Sequence, residues 1–84
     1  MTLIWSTRFR REFTALPGAI KERARKQLAL FSRNPGHPSL RTKKMEGGDI
    51  WEGRVSQGYR FTFTISGDTY VLRRVGPHDI LKRP

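Results

Sequence analysis

Three strand-like segments follow one another between residues 49 and 75, and the connections between them are of hairpin length. The segments read DIWEGRV, YRFTFTI and TYVLRRV, and they are separated by SQG and SGD. Short connections that contain glycine join antiparallel neighbours, because glycine adopts the positive φ angles that tight turns require. The second half of the chain is therefore predicted to be an antiparallel meander.

The first half of the chain carries a short apolar run, TLIW, that is typical of a strand, and then two helical patterns. Phe9, Phe13 and Leu16 recur with the spacing of one helix face. Pro17 and Gly18 interrupt this pattern, and a second amphipathic pattern extends to about Ser32. The segment HPSLRTKKMEGG has no sustained periodicity and is predicted to be a loop with room for a short irregular strand.

This order predicts an α+β fold of the form β-α-α-β-β-β. A helical hairpin covers one face of an antiparallel sheet, and HDILKR forms a short C-terminal helix or tail. Eighty-four residues suffice for one domain with a modest core, so residues 1–84 are expected to be a single domain. The run at the N-terminus is too short for a signal peptide or a membrane span, so we expect a cytoplasmic protein that has no membrane partner.

The net charge of the chain indicates which classes of partner it can bind. Seventeen Lys and Arg against seven Asp and Glu give a formal net charge of +10. Such a field attracts polyanions and speeds association with them. Nucleic acid is the leading partner, an acidic protein is nearly as plausible, and a merely solvated basic surface remains an alternative.

Strand alternation divides the side chains of the meander between two faces. The apolar set of the middle segment must lie under the helices and comprises Tyr59, Phe61, Phe63 and Ile65. Trp51 and Val55 of the preceding segment fit the same face. The opposite face then presents Glu52, Arg54 and Arg60.

The last segment is ambiguous, because strict alternation buries one of two adjacent arginines. If Val71 and Val75 point inward, Arg73 must reach water by its long stem while Arg74 joins the polar face. We favour this interpretation, which brings Arg74 and His78 to one end of that face. A purely structural role is equally open, since an exposed antiparallel face normally carries polar residues.

The residue types on this face suit the cleavage of RNA without a metal ion or other cofactor. The 2′-hydroxyl of RNA is the nucleophile, so the protein must supply only a base, an acid and cations for the charge that grows on the phosphate. Glu52 and His78 are the titratable candidates, and the ordinary pKa of histidine, about 6.5, suits either role. Arg60 and Arg74 can hold a phosphate, because a guanidinium group bonds two phosphate oxygens at once.

The segments WEGRV, GYRF and RVGPHDIL, in this order of elements, resemble the toxins of the RelE/ParE superfamily from bacterial type II toxin–antitoxin systems. The resemblance spans nearly the whole chain, and the RVGPHDIL ending is similar to that of the YafQ-type ribonuclease branch. It implies a small basic ribonuclease that enters the ribosomal A site, cuts messenger RNA and is inhibited by an acidic antitoxin. The ParE branch shares the fold but acts on DNA gyrase, so the fold alone does not define the function.

The resemblance also implies roles for individual residues. Arg60 corresponds to a phosphate-binding arginine, and Arg74 and His78 match the arginine and histidine of the YafQ-like ending. Together with Glu52 they form the predicted catalytic set. The predicted RNA-binding residues are Arg41, Lys43, Lys44, Arg54 and Arg73. Two alternatives stay open, namely a gyrase-inhibiting toxin and a non-catalytic RNA-binding module.

Overall fold

The computed structural model describes all 84 residues, and its elements follow the predicted order. The helices and strands are β1 (Thr2–Trp5), α1 (Thr7–Thr14), α2 (Gly18–Arg33), β2 (Lys43–Lys44), β3 (Trp51–Ser56), β4 (Tyr59–Ser66) and β5 (Thr69–Pro77). A short 3₁₀ helix, Pro38–Leu40, precedes β2, and a second one, His78–Lys82, follows β5. The fold is thus the predicted α+β arrangement, with β2 as the short strand of the loop.

The five strands form one mixed sheet in the order β1-β5-β4-β3-β2. The strands β2 to β5 pair in the antiparallel sense, as predicted, and Gly67 takes a φ of 59° in the turn between β4 and β5. Strand β1 runs parallel to β5, with Thr2 opposite Thr69 and Trp5 opposite Leu72. No hairpin joins these two strands. The helices carry the chain from β1 to β2 at the opposite edge, and the antiparallel strands then return it to β5 beside β1.

Aromatic side chains from both layers form the core. Phe9 of α1 and Phe31 of α2 are fully buried. The Phe31 ring centroid lies 5.2 Å from that of Phe61 and 4.8 Å from that of Phe63, in edge-on geometry. Such edge-on pairs are a favourable packing arrangement for aromatic rings. Phe61 and Phe63 therefore lie on the helix-facing side of the sheet, as the strand alternation predicts.

Two features of β3 and β4 refine the predicted faces. Ile65 was expected inside, but 38% of it is exposed because it lies next to the β4–β5 turn at the margin of the core. Gly53 pairs with Phe61, and a Cβ at this position would overlap the Phe61 ring. The glycine in the middle of WEGRV therefore makes room for a core aromatic side chain.

A β-bulge in β5 determines where its two arginines point. Thr62 pairs with Arg74 and Phe63 with Leu72, so Arg73 is an extra residue without a partner of its own. Leu72 is fully buried, and Val75 is 2% exposed. The interpretation that Val71 fills the inward position was wrong, because the added residue lets Leu72 and Val75, three positions apart, both face the core. Neither arginine is buried in the core.

Candidate nucleic-acid interface

A row of four polar side chains crosses the outward face of the sheet, which is the face away from the helices. Lys43 of β2 is opposite Glu52 of β3, Glu52 is opposite Thr62 of β4, and Thr62 is opposite Arg74 of β5. Residues that are directly opposite each other on neighbouring strands point to the same side of the sheet. Three of the predicted site residues, Lys43, Glu52 and Arg74, therefore share this row.

A second row lies beside the first and holds Arg54, Arg60 and Gly76. Together with the loop before β2, the two rows surround a concavity of about 260 Å³, which we call the basic concavity. Its lining residues are Arg41, Lys43, Glu52, Arg54 and Arg60. Four cations thus surround a single carboxylate, and this excess of positive charge suits a bound anion.

Arg60 is fixed in the basic concavity by the β3–β4 hairpin. Its Nη1 donates to the carbonyl oxygens of Ser56 at 2.6 Å, Gln57 at 3.1 Å and Tyr59 at 3.0 Å. Its Nε lies 4.0 Å from Oε1 of Glu52, and the two side chains are only 14% and 12% exposed. The turn therefore orients the guanidinium group, while the carboxylate stays at the limit of an ion pair.

Arg54 lines the basic concavity together with two other arginines, Arg41 and Arg60. Its pKa is lowered from its ordinary value, first by partial desolvation and then by the positive charges of Arg41 and Arg60. Arg41 follows the 3₁₀ helix and has a φ of 47°, which is the left-handed region that a residue with a side chain rarely adopts. An anion bound here would relieve the repulsion among these guanidinium groups.

Arg74 has a different environment, because Glu12 of α1 neutralises it. Arg74 Nη2 lies 2.6 Å from Glu12 Oε2, and its Nε also donates to the same carboxylate. Its Nη1 donates to the Arg83 carbonyl oxygen at 3.1 Å. The hydrogen bond with Glu12 is the main reason why the pKa of Arg74 is raised, against the opposing effect of desolvation. Every nitrogen of this guanidinium group is thus used within the chain.

Residues 78–84, which we call the C-terminal tail, fold back over β4 and β5. The Pro84 carbonyl oxygen accepts hydrogen bonds from Thr62 Oγ1 at 3.2 Å and from Arg73 Nε at 3.3 Å. A Cβ on Gly76 would lie 3.0 Å from Cγ2 of Ile80. The tail therefore covers the β5 side of the outward face and leaves the basic concavity open.

His78 begins the C-terminal tail beside the hairpin that orients Arg60. Its backbone N–H donates to the Gly58 carbonyl oxygen at 2.9 Å. The imidazole is exposed and forms no hydrogen bond or ion pair within the chain. The structure thus anchors the backbone of His78 and leaves its ring free.

Two other basic residues lie outside this arrangement. Lys44 pairs with Trp51 and so points to the opposite face of the sheet from Lys43. His37 caps the first 3₁₀ helix, because its Nδ1 accepts a hydrogen bond from the Ser39 N–H at 3.1 Å. Of the predicted residues, Lys44 therefore lies on the opposite face of the sheet. His78, Arg73 and Arg74 do not line the basic concavity either.

Sequence reasoning missed Glu12 and Arg23, which bond backbone groups of β5 and β3 at positions that the short edge strands β1 and β2 do not reach. Glu12 accepts a hydrogen bond from the Val75 N–H at 3.3 Å, and Arg23 Nε donates to the Val55 carbonyl oxygen at 3.1 Å. One signal was present, since Glu12 is the only acidic residue of α1. Nothing in the sequence distinguishes Arg23 from the other cations of α2.

Neither helix is long and apolar enough to cross a membrane. No three His, Asp or Glu side chains come together in a way that could hold a metal ion.

The fold and the site together define a small α+β domain with a cationic sheet face, and solved structures share this fold. No family model matches the chain, and no curated protein matches its sequence. YafQ from E. coli strain BL21(DE3) is 12% identical, with a TM-score of 0.77 and 94% of each chain covered. The YoeB/ParE toxin from Agrobacterium tumefaciens is 16% identical, with a TM-score of 0.76 and coverage of 93% of this chain and 99% of its own.

A third similar structure is the toxin–antitoxin complex RelBE2 from Mycobacterium tuberculosis. It is 25% identical, with a TM-score of 0.70, and the match covers 92% of this chain and 96% of that one. The chain therefore has the fold that these YafQ, YoeB/ParE and RelE toxins share, as the sequence resemblance implied.

Proposed function

We propose that this chain is the toxin of a type II toxin–antitoxin system and that it cleaves messenger RNA on the ribosome. The observation that carries the proposal is the basic concavity, in which four cations surround the Glu52 carboxylate. His78, whose backbone N–H bonds the Gly58 carbonyl oxygen in the hairpin that orients Arg60, supplies the second titratable group. The similar structures, which are described as a toxin and as a toxin–antitoxin complex, support the toxin part of this proposal.

The proposed reaction needs only protein groups and the RNA itself. The 2′-oxygen attacks the neighbouring phosphorus as Glu52 accepts its proton, and the bond from phosphorus to the 5′-oxygen breaks as His78 donates a proton to that oxygen. The products are a 2′,3′-cyclic phosphate and a free 5′-hydroxyl. The reaction requires no redox partner and no metal ion.

The cations of the basic concavity stabilise the charge that grows on the phosphate oxygens. Arg60 is the main candidate, because its Nη1 is held by three carbonyl oxygens while its Nη2 has no partner in the chain. Arg54, Lys43 and Arg41 add to the positive field, and Arg73 is exposed where RNA can reach it. We leave Lys44 out of the interface because it points to the opposite face.

Arg74 has a different role in this proposal from the phosphate clamp that the sequence suggests. Its donors are used by Glu12 and by the Arg83 carbonyl oxygen, so binding a phosphate would require it to release both. We propose that Arg74 is a positioning residue. It holds the C-terminal tail, and the tail carries His78.

The proposed partners are the ribosome with its message and an antitoxin, and the proposed place of action is the cytoplasm. An acidic, partly disordered segment of the antitoxin would fold across the helical hairpin and the outward face of the sheet. Complexes of a toxin with an antitoxin, such as RelBE2, support this partner. Because the chain carries a net charge of +10, the association rate with the antitoxin should fall as salt rises.

A gyrase-inhibiting toxin is the second candidate, because one of the similar structures is described as a YoeB/ParE toxin. The test incubates the purified protein with ribosomes that hold a defined message and, in parallel, with gyrase and relaxed plasmid. We expect cleavage of the message and unchanged supercoiling. Intact message with blocked supercoiling would move the chain to the second candidate, and RNA binding without cleavage would make it a non-catalytic RNA-binding module.

A further inference from the structure

A second cationic concavity lies next to the basic concavity, on the side of α2. Its volume is about 580 Å³, and we call it the second concavity. Its lining residues are Arg23, Ser39, Arg41, Arg54, Ser56 and Gln57. It therefore combines three guanidinium groups with hydroxyl and amide groups, and it includes neither an acidic nor an apolar side chain.

The guanidinium groups of the second concavity keep donors for a ligand. Arg23 uses its Nε on the Val55 carbonyl oxygen, and Arg54 uses its Nε on the Ser56 carbonyl oxygen at 3.4 Å. The Nη nitrogens of both side chains have no partner within the chain. The acidic residue of α2 closest in sequence to Arg23, Glu22, pairs instead with Arg25, with Nη1 and Oε2 2.9 Å apart. The positive charge of Arg23 is therefore not neutralised by Glu22.

Arg41 and Arg54 connect the two concavities, because each of them lines both. Arg41 keeps its left-handed backbone conformation between the 3₁₀ helix and β2. Such conformations persist only where the surrounding structure over-determines them, and they are common at binding sites. The two concavities are therefore neighbouring parts of one cationic surface.

We propose that the second concavity binds the phosphate group next to the cleaved one on the same RNA strand. This inference rests on the proposed function, which places the cleaved phosphate in the basic concavity. A strand that crosses Arg41 and Arg54 would bring its next phosphate to Arg23, with Ser56 and Gln57 as further hydrogen-bond donors. Guanidinium groups suit this contact because of their forked geometry.

An RNA strand fits the second concavity better than a protein segment does. A segment that folds on binding stabilises its complex largely by burying apolar side chains. The second concavity has no apolar lining to receive them. Charged and polar donors alone are what a sugar–phosphate backbone requires.

The test measures the binding of a short single-stranded oligonucleotide with 2′-O-methyl groups, which this reaction cannot cleave. Gln57→Glu adds one negative charge to the second concavity without a change of side-chain size. Arg23→Gln removes one positive charge there and keeps a donor for the Val55 carbonyl oxygen. Lys26→Gln is the matched control, because it removes one charge from an exposed position of α2 that lines neither concavity.

Loss of one phosphate contact should reduce the slope of log affinity against log salt by about 0.7 for a single strand. We expect this reduction for Arg23→Gln, a weaker affinity for both site variants, and a smaller loss for the control. Melting temperatures identify any variant that fails to fold, and Gln57→Glu, at an exposed position, is the one expected to stay folded.

Affinities and slopes equal to those of the wild type in both site variants would overturn the inference. An equal loss in Lys26→Gln would also overturn it, since the effect would then come from net charge alone. Normal RNA binding with weakened binding of a polyglutamate peptide would assign the second concavity to a protein partner. Failure of the wild type to bind the oligonucleotide would instead reject the RNA target of the proposed function.

Discussion

Two groups of arginines lie on the outward face of the sheet, and they differ in whether the chain itself neutralises them. Arg74 is held by the Glu12 carboxylate, which raises its pKa. Arg54 is crowded by Arg41 and Arg60, and its pKa is lowered. The surroundings therefore shift the pKa of an arginine in opposite directions at these two positions. A paired arginine holds the fold together, whereas a crowded one is ready for an anion from outside.

This difference shows that the count of cations does not by itself locate a binding site. The net charge of +10 describes the whole surface, but the structure neutralises some of it with its few carboxylates. Five cations line the basic concavity and the second concavity beside it, against the single carboxylate of Glu52. If this division separates function from stability, substitutions in the two places should have different effects.

The largest effect is expected for Glu52→Gln, which removes the proposed base and keeps the size of the side chain. Cleavage should fall by about 10²-fold or more, the usual scale for general acid–base catalysis. RNA affinity should stay the same or rise, since one negative charge leaves the basic concavity. Single-turnover cleavage and anisotropy titrations on the same preparation measure both quantities. Unchanged cleavage would remove Glu52 from the mechanism.

Arg74→Gln should act on the stability of the fold. It leaves the Glu12 carboxylate, which is 22% exposed, without its main partner, and we expect a loss of about 1–3 kcal/mol in the free energy of unfolding. Denaturant titration measures this loss. RNA affinity of the folded fraction should stay close to that of the wild type.

Arg8→Gln is the matched control for this variant, because Arg8 contacts the same carboxylate at 3.8 Å but is 61% exposed. We expect a change within about 0.5 kcal/mol for it, as is usual for exposed pairs. If Arg74→Gln left stability unchanged but abolished RNA binding, the comparison between the two groups would be wrong.

Arg54→Gln should show the opposite behaviour. Its removal relieves repulsion with Arg41 and Arg60, so the melting temperature should stay the same or rise. RNA affinity should fall by about tenfold, the scale expected when a charged hydrogen bond to a phosphate is lost. A drop in stability with unchanged affinity would show that Arg54 is structural.

The sequence was sufficient to predict the features that local pattern determines. The hairpin-length connections between the strand segments predicted the meander, and the break at Pro17 and Gly18 predicted the separation of the helices. Of the two hairpin glycines, Gly67 has the positive φ angle that the turn argument invokes. Alternation also placed Glu52, Arg54 and Arg60 on one face, where the structure has them. These features depend on residues that are close together in the sequence, so the local sequence pattern is enough to predict them.

The remaining features depend on contacts between distant parts of the chain. The parallel pairing of β1 with β5 joins residues 67 positions apart, and the bond between Glu12 and Arg74 joins residues 62 positions apart. The bulge at Arg73 breaks the alternation on which the predicted faces relied. Lys43 and Lys44 look equivalent in the sequence, and only their pairing with β3 separates them.

The most direct test of the proposed ribonuclease site is single-turnover cleavage of a ribosome-bound message by wild-type and His78→Ala protein, with melting temperatures measured alongside. The His78 ring is free of partners in the chain, so its loss should leave the fold and ribosome binding nearly intact. We predict that cleavage falls by about 10²-fold or more. Equal cleavage rates for the two folded proteins would contradict the account.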